Sequence, residues 1–126
     1  MQVSGSEPRL RDDVVDIVGA IKDGDTLPYT ILVSNGWHMA EGLYFALRTA
    51  GVDQFSVSLD FPDSRHDEFR VYPGLYRHLE DLVPRLAKLG HDDIVFHTCI
   101  TSENMSEIEA IANQAREWGA NLCYSA

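Results

Sequence analysis

The stretch GVDQFSVSLDFPDSRHDEFR, residues 51–70, decides the reading of the fold. Its first part alternates, with Phe55, Val57 and Leu59 on one side and Ser56, Ser58 and Asp60 on the other. That is the period of a β-strand. A line of two serines and an aspartate is unusual for a strand inside a parallel sheet, which is ordinarily apolar on both faces. Beyond it, Phe61 to Gly74 holds no sustained period and is expected to be a polar loop after the strand. Loops after strands are where α/β folds place their ligand groups.

Working outward, Tyr29–Ser34 is a short apolar, β-branched run that reads as a buried strand. Ile94–Thr101 and Leu122–Ser125 read the same way, and Met1–Ser4 as a short first strand. Helical periods fill the intervals. Val14, Ile17, Val18 and Ile21 form one stripe behind the acidic pair Asp12-Asp13, which suits a helix N-terminus. Leu43, Ala46, Leu47 and Ala50 form the next, ended by Gly51. Leu75, Leu79, Leu82, Leu86 and Leu89 form the third, in which Pro84 is expected to produce a kink or break. Ile108, Ile111, Ala112 and Ala115 form the last, with Asn104 and Glu107 spaced as a capping box. The expected order is β-α-β-α-β-α-β-α-β, five strands and four helices, and strands alternating with helices imply right-handed crossovers and a parallel sheet.

A chain of 126 residues is expected to be one domain, residues 1–126. Hydrophobic residues at 44% and charged residues at 24% describe a globular rather than a disordered chain. The net charge of −10 argues against a broad nucleic-acid interface. No apolar run approaches the roughly 20 residues that span a membrane, and residues 1–20 lack the basic and apolar pattern of a signal peptide. The expected compartment is the cytoplasm, which suits free thiols. Cys99 and Cys123, 24 residues apart, match neither a metal knuckle nor a disulfide framework. GxGxxG and GxxxxGK[ST] are both missing, which lowers dinucleotide and nucleoside-triphosphate readings.

Small and polar residues gather where the strands end: Gly5-Ser6-Glu7, Ser34-Asn35-Gly36, Ser58 with Asp60, and Thr101. Each alone is ordinary turn chemistry. As a set they would occupy one rim of the sheet, its C-terminal edge. These residues carry a family resemblance. VSGSEPRLRDD resembles the Gly-Gly-Glu-Pro segment of the radical S-adenosylmethionine (radical SAM) superfamily, and ILVSNG its Ser-Thr-Asn-Gly segment. SVSLD followed by His-Asp and Arg70 is similar to the family's fourth strand and loop, and ITSENMSEIEAIANQAREWGA to the helix after its fifth strand.

The resemblance implies a partial (β/α) barrel running from the second to the sixth strand of the family core. It implies S-adenosylmethionine as a small-molecule cofactor and a 4Fe-4S cluster, with reductive cleavage to a 5′-deoxyadenosyl radical that takes a hydrogen from a substrate. It places Gly5, Ser6 and Glu7 at the cofactor's amino group, where converging acceptors suit an ammonium. It places Ser34, Asn35, Ser58 and Asp60 at its carboxylate and ribose, Arg70 at its carboxylate, and His97 on the barrel interior, where it is either a substrate contact or a satisfied core histidine. Ser6 departs from the family's second glycine. The family's CxxxCxxC motif, whose thiolates hold the cluster, is not in the sequence, so the chain by itself is expected to be catalytically incomplete. Two other readings stand beside it: a non-catalytic S-adenosylmethionine-binding or interaction module, and a doubly wound receiver-like domain with Asp60 as its central aspartate. A partial barrel would also leave open sheet edges, to be covered either by strands of a larger protein or by self-association.

The remaining residues divide. His97, Cys99 and Thr101 share a strand face by period, with Cys99 expected to be a small buried hydrophobe. Asp67 or Ser64 is expected to order the loop around His66. Trp37 either covers a bound adenine or covers the core, and Trp118 reads as core. His78 and His91 read as surface residues, and Glu80-Asp81 and Asp92-Asp93 as solvated acidic faces.

Overall fold

A computed structural model of the chain describes residues 2–4, 14–22 and 29–125. Five strands, β1 (Gln2–Ser4), β2 (Ile31–Ser34), β3 (Gln54–Ser58), β4 (Ile94–Cys99) and β5 (Asn121–Ser125), form one sheet in the order β1-β2-β3-β4-β5. Every pairing is parallel. The helices are α1 (Val14–Lys22), α2 (Glu41–Ala50), α3 (Arg65–Arg70), α4 (Leu75–Ala87) and α5 (Ile108–Glu117). A sheet in sequential order has no switch point. A doubly wound sheet must reverse its strand order, so the receiver-like reading fails here, and the architecture is that of a partial β/α barrel.

The sheet is two-faced because of the alternation read above. Leu32, Phe55, Val57, Ile94 and Phe96 are buried against Val18 of α1, Tyr44 and Leu47 of α2, the leucines of α4, and Ile111 and Ala115 of α5. Ile31, Val33, Gln54, Ser56, Ser58, Val95 and His97 alternate with them and are half-buried. Their register aligns Ser56 with Val95 and Ser58 with His97 across β3 and β4. The polar line on β3 therefore lies on the face opposite the helices. Burying a leucine or phenylalanine side chain contributes about 1.5–3 kcal/mol, so the helix-covered face dominates the stability.

Three local expectations are corrected. Phe61–Gly74 is not simply a loop, since α3 occupies its middle. Asp67, on α3, accepts from the backbone N–H groups of Gly74 (3.0 Å) and Tyr76 (2.6 Å) and so caps α4 from outside that helix. Pro84 does not break α4, which continues to Ala87. Asn104 does not cap the last helix through its side chain; the amide is turned inward instead. Gly51 closes α2 as expected, at φ 125, donating its N–H to the Leu47 and Arg48 carbonyls.

Candidate functional site

Parallel strands bring all their C-terminal ends to one rim, so Ser34, Asn35, Ser58, Asp60 and Thr101 meet there. Gly5, Ser6 and Glu7 lie outside the described residues. Ser58 ends β3, half-buried on the face opposite the helices. Ser34 is the buried last residue of β2, Asn35 follows it, and both side chains turn back on the loop they open. The Ser34 hydroxyl oxygen accepts from the Gly36 N–H (2.8 Å) and Asn35 Oδ1 from the Trp37 N–H (2.9 Å).

Asp60 is the centre of the rim. It is completely buried, where an ionised carboxylate must be paired. Its Oδ2 accepts from Arg70 Nε (2.8 Å) and lies 2.7 Å from Arg70 Nη2. Its Oδ1 accepts from the Cys99 N–H on the next strand (3.1 Å). Its own N–H donates to His66 Nδ1 (3.2 Å), and its carbonyl accepts from Asn104 Nδ2 (3.0 Å). Arg70 is one-third exposed, and its Nη1 makes no bond among the described residues. The structure thus joins Asp60 and Arg70 into one unit, a guanidinium fixed on a buried carboxylate with donors left over for an anion.

Two buried side chains hold this unit, and neither role is legible from local spacing. The Asn104 amide donates to the carbonyls of Asp60 and Cys99 (2.9 Å), and its Oδ1 accepts from the Thr101 N–H (2.7 Å). It laces the ends of β3 and β4 beyond the ladder. His66 is completely buried. Because its Nδ1 accepts, its hydrogen sits on Nε2, which has no partner among the described residues. Burial pushes its pKa down to about 4; the Asp60 charge pulls upward and Arg70 adds to the fall. The ring is therefore neutral, and no second cation competes with Arg70 for the carboxylate.

Elsewhere, the face opposite the helices carries His97, half-buried, with Nε2 3.1 Å from the Ser125 hydroxyl. Cys99 and Cys123 are free and exposed, so Cys99 is not a buried hydrophobe: period two puts it on that open face. No group of three His, Cys, Asp or Glu that could hold a metal ion exists among the described residues. The residues present do not fit a 4Fe-4S cluster. Trp37, half-buried, packs against Tyr72 (4.8 Å between ring centroids) and His78 (5.4 Å) and against the core on the helix side. Trp118 is core, 6% exposed.

Asp93 corrects the expectation of a solvated acidic run. It is 8% exposed and accepts from the Tyr44 hydroxyl (2.6 Å) and Arg48 Nε (3.1 Å). Burial first, and then Asp93, push the Tyr44 pKa well above the tyrosine range. Among the described residues no helix is long and apolar enough to cross a membrane.

Comparison with known proteins identifies the family of this fold. The model of the radical SAM superfamily matches residues 1–115. The AdoMet-dependent heme synthase of Methanosarcina barkeri is 32% identical over 121 residues, 94% of this chain and 33% of its own length. The GTP 3',8-cyclase of Limosilactobacillus fermentum is 42% identical over 60 residues, 48% of this chain and 18% of its own length. Molybdenum cofactor biosynthesis protein 1 of Bos taurus is 26% identical over 111 residues, 88% of this chain and 17% of its own length. The chain thus spans about a third of the heme synthase and under a fifth of the other two.

Proposed function

We infer that this chain, which belongs to the radical SAM superfamily, binds S-adenosylmethionine at the C-terminal rim of its sheet. The observation that carries the reading is the Arg70 guanidinium held on buried Asp60, two residues beyond the end of β3. Arg70 would take the cofactor carboxylate with Nη1. Asp60 would orient Arg70 rather than touch the ligand. Ser58, with a hydroxyl that makes no bond among the described residues, and the Ser34–Asn35 loop would take the carboxylate and ribose. Gly5, Ser6 and Glu7 would take the amino group, as the resemblance implies, and His97 would face the substrate. The family's reaction is reductive cleavage of S-adenosylmethionine, and the bound cofactor supplies a carbon radical for hydrogen abstraction. We assign these 126 residues the binding part of that task, since Cys99 and Cys123 do not form a cluster motif.

Isothermal calorimetry with S-adenosylmethionine tests the reading, with folding of each variant checked by circular dichroism. Glu7→Ala and Arg70→Ala are each expected to weaken binding by about tenfold or more, the equivalent of about 1.4 kcal/mol. A wild-type chain with no heat of binding refutes it. After anaerobic iron–sulfide reconstitution the chain is expected to release no 5′-deoxyadenosine; release would overturn the division of labour.

A further inference from the structure

We propose that His78 is a positioning residue for the loop after β2, acting through the backbone that carries Ser34 and Asn35; this rests on the reading that those two residues serve the cofactor. His78 sits on α4, 42 residues from Gly36, and is half-buried rather than on the open surface. Its Nε2 lies 3.0 Å from the Gly36 carbonyl and 3.1 Å from the Met39 carbonyl. Carbonyl oxygens only accept, so Nε2 carries a hydrogen shared between them.

The loop these carbonyls belong to is closed on itself. Gly36 N–H donates to Ser34, Trp37 N–H to Asn35, and Met39 N–H to the Gly36 carbonyl (3.1 Å). The side chains of both rim residues therefore follow wherever the loop backbone is held. The loop rests on α4 at two further points. A Cβ on Gly36, at φ +86, would meet Leu79 Cδ2 at 2.7 Å, and the Trp37 ring packs on His78. Those contacts fix the loop's distance from the helix. The His78 bond is the directional one, and it fixes the loop's rotation.

The experiment uses the full chain and three variants: His78→Phe keeps a ring against Trp37 without a donor, His78→Gln restores a donor, and His78→Ala removes both. Long-range 15N spectra of the wild type are expected to show His78 protonated at Nε2; a ring protonated at Nδ1 alone overturns the proposal without any variant. Amide exchange at Gly36, Trp37 and Met39 is expected to rise about tenfold in His78→Phe with β3 unchanged, reporting local rather than global opening. Calorimetry with S-adenosylmethionine is expected to show about a tenfold loss in His78→Phe and His78→Ala, with His78→Gln within about threefold of wild type. A wild type that binds, alongside a His78→Phe chain that binds equally well, refutes the positioning role whatever its exchange. A wild type that does not bind refutes the underlying cofactor reading and the role of this loop with it.

Discussion

Lowering the pH from 7 to 4 is expected to remove about 3 kcal/mol of stability through His66 alone. In the fold the ring is completely buried, Nδ1 accepts from Asp60, and Nε2–H has no partner among the described residues. Burial lowers its pKa from 6.5 to about 4. The unfolded chain keeps the ordinary value, so between these limits it binds a proton that the folded chain excludes. Stability therefore rises with pH across the window, is fully present above about 6.5, and is flat in this contribution below about 4. At about 1.4 kcal/mol for each pKa unit, the width of the window yields the figure above. That is a large share of a total of about 5–15 kcal/mol. The assay is urea unfolding at half-unit steps from pH 4 to 8, for the wild type and for His66→Asn. Asparagine can still accept from the Asp60 N–H through Oδ1 but does not titrate, and the carboxylates common to both proteins cancel in the difference. The wild-type curve should fall away from the variant's as pH drops below about 6.5. Parallel curves would refute the reasoning.

Asn104→Asp keeps size and acceptors but loses both donors to the carbonyls of Asp60 and Cys99; urea unfolding is expected to show a loss of about 3 kcal/mol, at least as large as for Asn104→Ala. Tyr44→Phe deletes the 2.6 Å bond to buried Asp93 but leaves Arg48 in place, so a loss of about 2 kcal/mol is expected by the same assay, and under about 0.5 would contradict the pairing. Val71 ends α3 at φ 55 with 83% of its surface exposed, a strained conformation for a β-branched residue, and Val71→Gly should raise stability by about 0.5–1 kcal/mol. Cys99 and Cys123 are exposed and should both react with a thiol reagent in the native chain; a need for denaturant would show Cys99 to be buried after all.

Much of the fold is legible along the chain because periods are local. Phe55, Val57 and Leu59 announce a strand, and the leucines from Leu75 to Leu86 announce a helix even across Pro84. Pro84 removes the N–H that would reach the Glu80 carbonyl, and the helix still runs on three residues to Ala87. The short α3 is hidden because six residues are too few to display a period. The candidate site is legible as a set of positions, since parallel strands must deliver their ends to one rim. What each residue does there is not. Asp60 and Ser58 share a period and a resemblance, yet one is a buried pivot and the other is half-buried, with a hydroxyl that makes no bond among the described residues. Asn104 has the spacing of a helix cap and instead ties two strands.

The sequence by itself determined the alternation of strands and helices, the two-faced sheet and the family, because each rests on residue type at short spacing. The tertiary structure alone decided the sequential strand order, since alternating strands and helices fit either a singly or a doubly wound sheet. It also decided the roles of His66, His78, Asp93 and Asn104. His78 and Asp93 are defined by partners 39 to 49 residues away, Asn104 by Asp60, 44 residues away, together with Cys99, 5 away, and His66 by the burial that closes over it. A hydrogen bond or a buried charge is a property of two groups brought together. No spacing within a single segment encodes the second group.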